Sequence, residues 1–365
     1  MSLTQFSEPA SRPLAEQHVL VIRLSAMGDV AIMAPVLNAL LKQHPQLSVT
    51  LLTLAKWAPI FAAIPRLKTV PVETKGIHKG IIGLWRLSQS LKKEGFIAIA
   101  DLHGVLRSRL LCFFMSLSEH KSARIDKGRA EKKALTRLEN KIFKPLKHSS
   151  IRYGEVFAKL GFPITLDPST VLSKPPKKLE ITGADQSNFT TIGIAPFAAH
   201  KGKQYPLDLM IQALEIFSRL AGKDQKNIRF VFFGGGPAET PKIKALCKQF
   251  PHSSHGLSLS FEQELQVIAH LDLMVAMDSG NAHLAAMYAV PTLTLWGNTH
   301  PYAGFAPVFQ TEKNRLLSDR ITYPGLPTTV FGKKVPKGYE KAMESIAPAA
   351  VTEKMSMLLK EASAD

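Results

Sequence analysis

Cysteine is almost missing from this chain: 365 residues hold two, Cys112 and Cys247. They are far apart and sit in apolar, helix-like segments, so neither a disulfide framework nor a cysteine-ligated zinc site is indicated. A reducing, cytoplasmic setting fits. Long apolar runs are missing too. None approaches the roughly 18–20 residues that a membrane-spanning helix needs. Residues 1–17 are polar, carry Pro9 and Pro13, and lack the apolar core of a signal peptide; they read as a disordered lead. The glycine spacing of a dinucleotide fingerprint is absent, because Arg23-Leu24-Ser25-Ala26-Met27-Gly28-Asp29 offers one glycine where three are needed. Gly234-Gly235-Gly236 lacks the Gly-Lys-Ser/Thr ending of a nucleotide P-loop.

Acidic residues are also scarce. Lys and Arg number 46 against 29 Asp and Glu, a formal net charge of +17. The excess is concentrated between Lys121 and Arg152, which holds eleven cations and three acids. Such a block suits a polyanion: nucleic acid, an anionic membrane surface or a phosphorylated substrate. It also suits a plain solvated helix face. Nucleic acid fits least, since the block has one aromatic, Phe143, and no DNA- or RNA-binding motif.

What is present is a repeated alternation of strand and helix signals. Strands are expected at 18–24, 48–54, 68–72 and 96–100, with helices near 29–43, 80–94, 105–118 and 130–147. A period-free stretch, 171–188, with Pro175, Pro176 and three lysines reads as a linker. The alternation then restarts, with strands at 191–195, 228–233, 271–277 and 291–295 between helices at 207–220, 238–250 and 261–269. A last helical segment is expected over 339–365, broken near Pro348, with the first domain as a candidate packing surface. This is an α/β pattern of two doubly wound parallel sheets, in domains spanning 18–170 and 189–338. Ligands of such sheets sit beyond the carboxyl ends of the strands, so the two sets of loops should share a cleft.

Polar clusters fall at those strand ends. The most informative is Asp278-Ser279-Gly280-Asn281-Ala282-His283, between an apolar run and a helix. Small residues there expose backbone amides to an anion, and the helix dipole favours negative charge. Ser279 can cap the helix or donate its hydroxyl to a phosphate, Gly280 admits close approach, and His283 reaches the same place. An ordinary capped helix explains the hexapeptide equally well. Asp29 opens another helix, where the dipole favours its charged form. It suits a general base, or simply a capping aspartate. His200-Lys201-Gly202-Lys203 places ammonium groups in a strand-end loop, suited to phosphate. Asp101-Leu102-His103-Gly104 and Gly297-Asn298-Thr299 close the set.

Taken in order, Arg23-x-Ser25-x-x-Gly28-Asp29, Lys203-x-aromatic-Pro, Asp278-Ser279-Gly280-x-x-His283 and Gly297-x-Thr299 resemble the ADP-heptose:lipopolysaccharide heptosyltransferases of glycosyltransferase family 9. The resemblance runs from about residue 18 to 310. It implies a GT-B architecture of two Rossmann-like domains facing across a cleft. It also implies an inverting transfer without a metal or other cofactor, from ADP-heptose to an inner-core lipopolysaccharide acceptor.

Carried over by position, Asp29 takes the general base and Lys203 the cation on the ADP leaving group, with Lys201 as rival if the loop register slips by two. Asp278, Ser279, Gly280, His283 and Thr299 take the nucleotide sugar. Ser279 stands where many relatives have threonine, and its hydroxyl survives that change. The acceptor side takes Ser25, Gly28, Asp101, His103, Arg107, Arg109 and Arg124. The implied acceptor is an anionic, lipid-linked saccharide at the inner face of the inner membrane. Some of the basic block would hold its anionic groups and some would give a salt-sensitive membrane affinity. Two other readings stay open at this point: a GT-B transferase or epimerase using a UDP-sugar, and a non-enzymatic polyanion-binding module.

Overall fold

The computed structural model describes residues 17–115, 121–176, 189–223 and 227–362. The expected lead before Gln17 and the linker residues 177–188 lie outside them.

The first sheet is built from β1 (Gln17–Ile22), β2 (Leu47–Thr53), β3 (Leu67–Pro71), β4 (Ala98–Asp101) and β5 (Lys121–Arg124). Their order is β3-β2-β1-β4-β5 and every pairing is parallel. In β1, Val19 to Ile22 are fully buried, as expected of a central parallel strand covered on both faces. The connecting helices are α1 (Met27–Gln43), α2 (Gly80–Lys92) and α3 (Leu106–Met115), followed by α4 (Arg129–Thr136) and α5 (Ser149–Lys159). Leu87 and Leu91 of α2 and Leu111 of α3 pack on one face of the sheet; α1 and α5 cover the other.

The second sheet holds β6 (Thr190–Ala195), β7 (Ile228–Phe232), β8 (Ser254–His255), β9 (Leu273–Met277), β10 (Thr292–Trp296) and β11 (Arg315–Leu317). The order is β11-β10-β9-β6-β7-β8, again all parallel. Its helices are α6 (Leu207–Lys223), α7 (Thr240–Gln249), α8 (Phe261–Ala269), α9 (Gly280–Ala286) and α10 (Pro348–Ala362).

Strand order reverses beside β1 and β4 in the first sheet and beside β6 and β9 in the second. These are the switch points where crevices open at the carboxyl ends of the strands. Their loops are Arg23–Ala26 and Leu102–Val105 in one half, and Pro196–Pro206 and Asp278–Ser279 in the other. Topology therefore brings these four loops to the carboxyl edges of the two sheets. α1 closes the gap. Val30 to Leu41 are all buried, so this helix is apolar on every side, as a helix between two layers must be. It packs on α9, and one apolar cluster runs from Val19 through α1 to Leu284 and Met287.

Four expectations need correcting. The helix expected over 130–147 stops at Thr136. Asn140 takes positive φ and Pro145 follows, and the segment instead crosses to the second domain. There Lys141 Nζ donates to Pro327 O (2.7 Å) and Leu146 N to Tyr302 O (2.9 Å). A helix the pattern did not disclose, α5, starts at Ser149, capped by the His148 side chain accepting from Ser150 N. Edge strand β5, Lys-Ser-Ala-Arg, was hidden by its polarity. The C-terminal helix does not return to the first domain. α10 lies on α6, with Val351, Met355 and Leu358 in the second core and Thr352 Oγ1 donating to Ala213 O (2.9 Å). No described helix is long and apolar enough to cross a membrane.

Candidate active site

The two edges enclose a cleft of about 520 Å³. Its second-domain wall is built around one buried ion pair. Asp278, at the end of β9, is 5 % exposed and meets Lys203 Nζ at 2.7 Å through Oδ2. Thr299 Oγ1 donates to the same oxygen at 2.8 Å. Lys203 arrives on a short 3-10 turn, Lys201–Lys203, clamped by the later loop: Gly202 N donates to Gly332 O. Gly332 has φ +75°, and a Cβ there would sit 2.7 Å from Lys203 Cγ, so glycine is required on both counts. Lys201 is exposed and does not line the cleft. The loop register therefore turns Lys203, not Lys201, inward.

Ser279 occupies the N-cap of α9 but makes no capping bond, and its buried Oγ has no partner among the described residues. The plain-cap explanation of the hexapeptide is thus not the one used. His283 is buried against the first domain, and burial pushes its imidazole down to about 4. It is a neutral wall rather than a cation. A Cβ on Gly28 would lie 2.6 Å from its ring, and one on Gly280 would collide with Met27. These two glycines let the halves meet.

The first-domain wall is organised by Arg23, 4 % exposed. Its guanidinium donates to Leu102 O (2.6 Å) and forms an ion pair with Asp29 Oδ2. Tyr153 OH reaches the Asp29 carbonyl at 3.3 Å, and its ring lies 5.6 Å from Arg23 Cζ. The Asp29 side chain is 39 % exposed. Its contacts with Arg23 and Ala26 N fall on Oδ2, and the residue lines the cleft. Lys127 and Lys132 also line it, and burial lowers the pKa of each. Lys132 and Lys203 Nζ lie 5.4 and 5.9 Å from the centroid of the same Phe305 ring, and Phe331 stacks on Phe305.

Through Lys127 and Ile125 the cleft adjoins a second cavity of about 880 Å³. Arg109, Arg124, Lys127, Arg129 and Lys159 line it. Asp101 is committed to its own turn, accepting from His103 N, Gly104 N and Ser108 Oγ. Burial, Arg23 and Lys127 push His103 down to about 4.

Of the residues singled out from sequence, Asp29, Gly28, Lys203, Asp278, Ser279, Gly280 and His283 converge on the cleft, and Arg109, Arg124 and Asp101 on the adjoining cavity. Thr299 lies behind Asp278 and acts through it. Ser25, Arg107 and Lys201 line neither space. Sequence reasoning missed Arg23 as partner of Asp29, held Lys132 only as one cation of the basic block, and missed Tyr153, Phe305 and Phe331 altogether. The loop 320–339, which carries no recognisable motif, supplies Phe331 to the cleft and Pro327 O to Lys141. Among the described residues no three His, Cys, Asp or Glu side chains gather as a metal site.

Two facing parallel α/β domains with the site at both switch points are a GT-B architecture. The fold agrees with solved structures. A glycosyltransferase family 9 protein from Veillonella parvula superposes with a TM-score of 0.69 at 19 % identity, covering 96 % of this chain and 99 % of that one. "E. coli heptosyltransferase WaaC with ADP" gives 0.65 at 18 %, covering 94 % and 100 %. In sequence, the chain is 25 % identical over 299 residues to "Lipopolysaccharide core heptosyltransferase OpsX" of Haemophilus influenzae, spanning 79 % of this chain and 81 % of that protein. It is 25 % identical over 324 residues to "Lipopolysaccharide heptosyltransferase 1" of Pseudomonas aeruginosa, spanning 85 % and 86 %. The model of "Glycosyltransferase family 9 (heptosyltransferase)" matches residues 84–326. The chain belongs to that family. It is a glycosyltransferase, and the non-enzymatic reading falls.

Proposed function

We propose that this enzyme moves heptose from ADP-heptose to a hydroxyl of an anionic inner-core lipopolysaccharide acceptor, with inversion and without a metal. The observation that carries the reading is the pairing of a cleft-facing carboxylate on one wall with a pre-positioned ammonium on the other. Asp29 accepts the proton of the incoming acceptor hydroxyl, while Arg23 fixes its orientation. The hydroxyl oxygen attacks the anomeric carbon as the bond to the diphosphate breaks. One carboxylate suffices, because a single displacement forms no covalent intermediate. Negative charge grows on the departing diphosphate. Lys203 meets it, fixed by Asp278, with the unpartnered Ser279 hydroxyl as a further donor. Donors aimed in advance at developing charge are commonly the largest contribution to rate in such sites.

The acceptor's anionic groups are taken by the neighbouring basic cavity through Arg109, Arg124 and Lys127, and catalysis occurs on the cytoplasmic side of the inner membrane. Mass spectrometry after incubation with ADP-heptose and a deacylated inner-core acceptor should give one added heptose, unaffected by a chelator. Loss of transfer on chelation would overturn the metal-free mechanism. Thermal shifts should be larger with ADP than with UDP; the reverse order would point to a UDP-sugar enzyme.

A further inference from the structure

The outer layer of the first domain carries a surface that the cleft does not use. α2 begins beyond the carboxyl end of β3, at the sheet edge where Asp29 and the basic cavity open. One face of α2 is buried through Leu84, Leu87 and Leu91. The opposite face exposes Ile81 (64 %), Ile82 (68 %) and Trp85 (50 %), and Ile77 in the preceding loop is 69 % exposed. The loop is fixed in place. Gly76 N and His78 N both donate to Glu73 O, and Lys79 N donates to Gly76 O. The backbone of Ile77 and His78 presses directly on Gly83, where a Cβ would sit 2.6 Å from His78 C. Ile77 is thereby held beside the first turns of the helix. Lys75, Lys79 and Arg86 are exposed around it, and the stretch 75–86 contains no acidic residue.

Scattered exposed apolar side chains are ordinary, but a fixed group of them rimmed by cations marks an interaction surface. The chemistry selects the partner. Isoleucines enter the acyl boundary, tryptophan settles at headgroup depth, and lysine and arginine are drawn to anionic headgroups. We propose that residues 75–86 dock the enzyme on an anionic lipid bilayer. Resting on the acceptor assigned above, docking at this edge would let a lipid-anchored saccharide enter beside Asp29 without leaving the bilayer.

The test is sedimentation of the full chain with phosphatidylcholine vesicles with and without phosphatidylglycerol. Binding should require phosphatidylglycerol and weaken with salt. Ile81→Ser/Ile82→Ser/Trp85→Ser should reduce it by more than about tenfold. Lys75→Gln, Lys79→Gln and Arg86→Gln should each weaken it by about fivefold. Trp57 and Trp296 are 9 % and 1 % exposed, so the blue shift of emission on vesicles should vanish in Trp85→Phe, a substitution that leaves the fold intact. Transfer to a deacylated acceptor should be unchanged in all these variants. Failure of the wild type to bind, or unaltered binding and emission shift in the variants, would overturn the proposal. So would a wild-type dimer that the serine variant abolishes, since the surface would then belong to a second copy. These readouts need neither donor nor acceptor, so failed transfer would sink the catalytic reading and leave this one standing.

Discussion

The two walls of the cleft handle charge in opposite ways. On the second domain, Lys203 and Asp278 are 14 % and 3 % exposed by side chain and paired to each other, with Thr299 completing the carboxylate. On the first, Asp29 stands open beside Arg23, Lys127 and Lys132, and the adjoining cavity is lined by more cations than acids. A closed, self-satisfied pair suits a ligand group that is always the same. An open surplus of positive charge suits a large anionic partner that brings its own counter-charge. The wall with fixed geometry is the one assigned to the donor, and the wall with spare charge the one assigned to the acceptor.

The largest effect should come from the open wall. Asp29→Ala is expected to lower the transfer rate by about 10²–10⁴-fold while ADP binding, read by calorimetry, persists. Near-normal turnover would remove Asp29 from the chemistry. Lys203→Ala should cost about 10²–10³-fold, and Lys201→Ala very little. The same change also strands Asp278 in a buried site, with a stability loss of about 3–5 kcal/mol. Lys203→Ala/Asp278→Asn should therefore regain most of the melting temperature and none of the rate. Recovery of both would show that Lys203 acts only as a structural partner.

A pH experiment separates the walls less sharply but tests their common burial. His103 on one side and His283 on the other are both held near 4. Their unfolded values lie near 6.5, so the unfolded chain binds the extra protons between those limits. Stability is then full above about pH 6.5 and falls as the pH drops toward 4, by up to about 3 kcal/mol per histidine. Denaturant midpoints measured across that window should fall in the wild type and fall less steeply in His283→Gln, where His103 still titrates. A flat wild-type profile would mean the imidazoles are not buried neutral. Neither histidine should contribute an inflection to transfer rates near neutral pH.

How much of this was legible beforehand follows the same division. Asp278 to His283 directly follows an apolar run, and Lys203 and Asp29 lie in the loop or helix start that comes after one, so strand-end logic located them. Which of them pair is not encoded locally: Arg23 stands in the same motif as Asp29 with nothing to mark it as a partner, and Tyr153 comes from distant sequence. Thr299 looked like a ligand group and proves to be a brace, because spacing cannot tell which way a side chain points. Asp101 looked like an acceptor contact and is consumed by its own turn. α5 and β5 were invisible because one is half polar and the other has Ala123 alone as an apolar residue; the basic block masked the fact that its second half is a crossing strap, not a helix. Periodicity reports burial on one face, and a segment that bridges two domains has no single buried face to report.

The smallest effect should come from the basic cavity, and it bears most directly on the comparison. Arg109 and Arg124 line it without touching the donor wall. Arg109→Gln/Arg124→Gln removes two of its cations and leaves the Lys203–Asp278 pair alone. If the open wall exists to meet an anionic acceptor, KM for acceptor should rise by about tenfold, as expected for the loss of one to two charge-assisted contacts. KM for the donor should not move, and the dependence of acceptor KM on salt should shallow. An equal rise in both constants would mean that the surplus charge serves the nucleotide as well. The cleft would then have no dedicated acceptor side, and the contrast between its walls would reflect local folding alone.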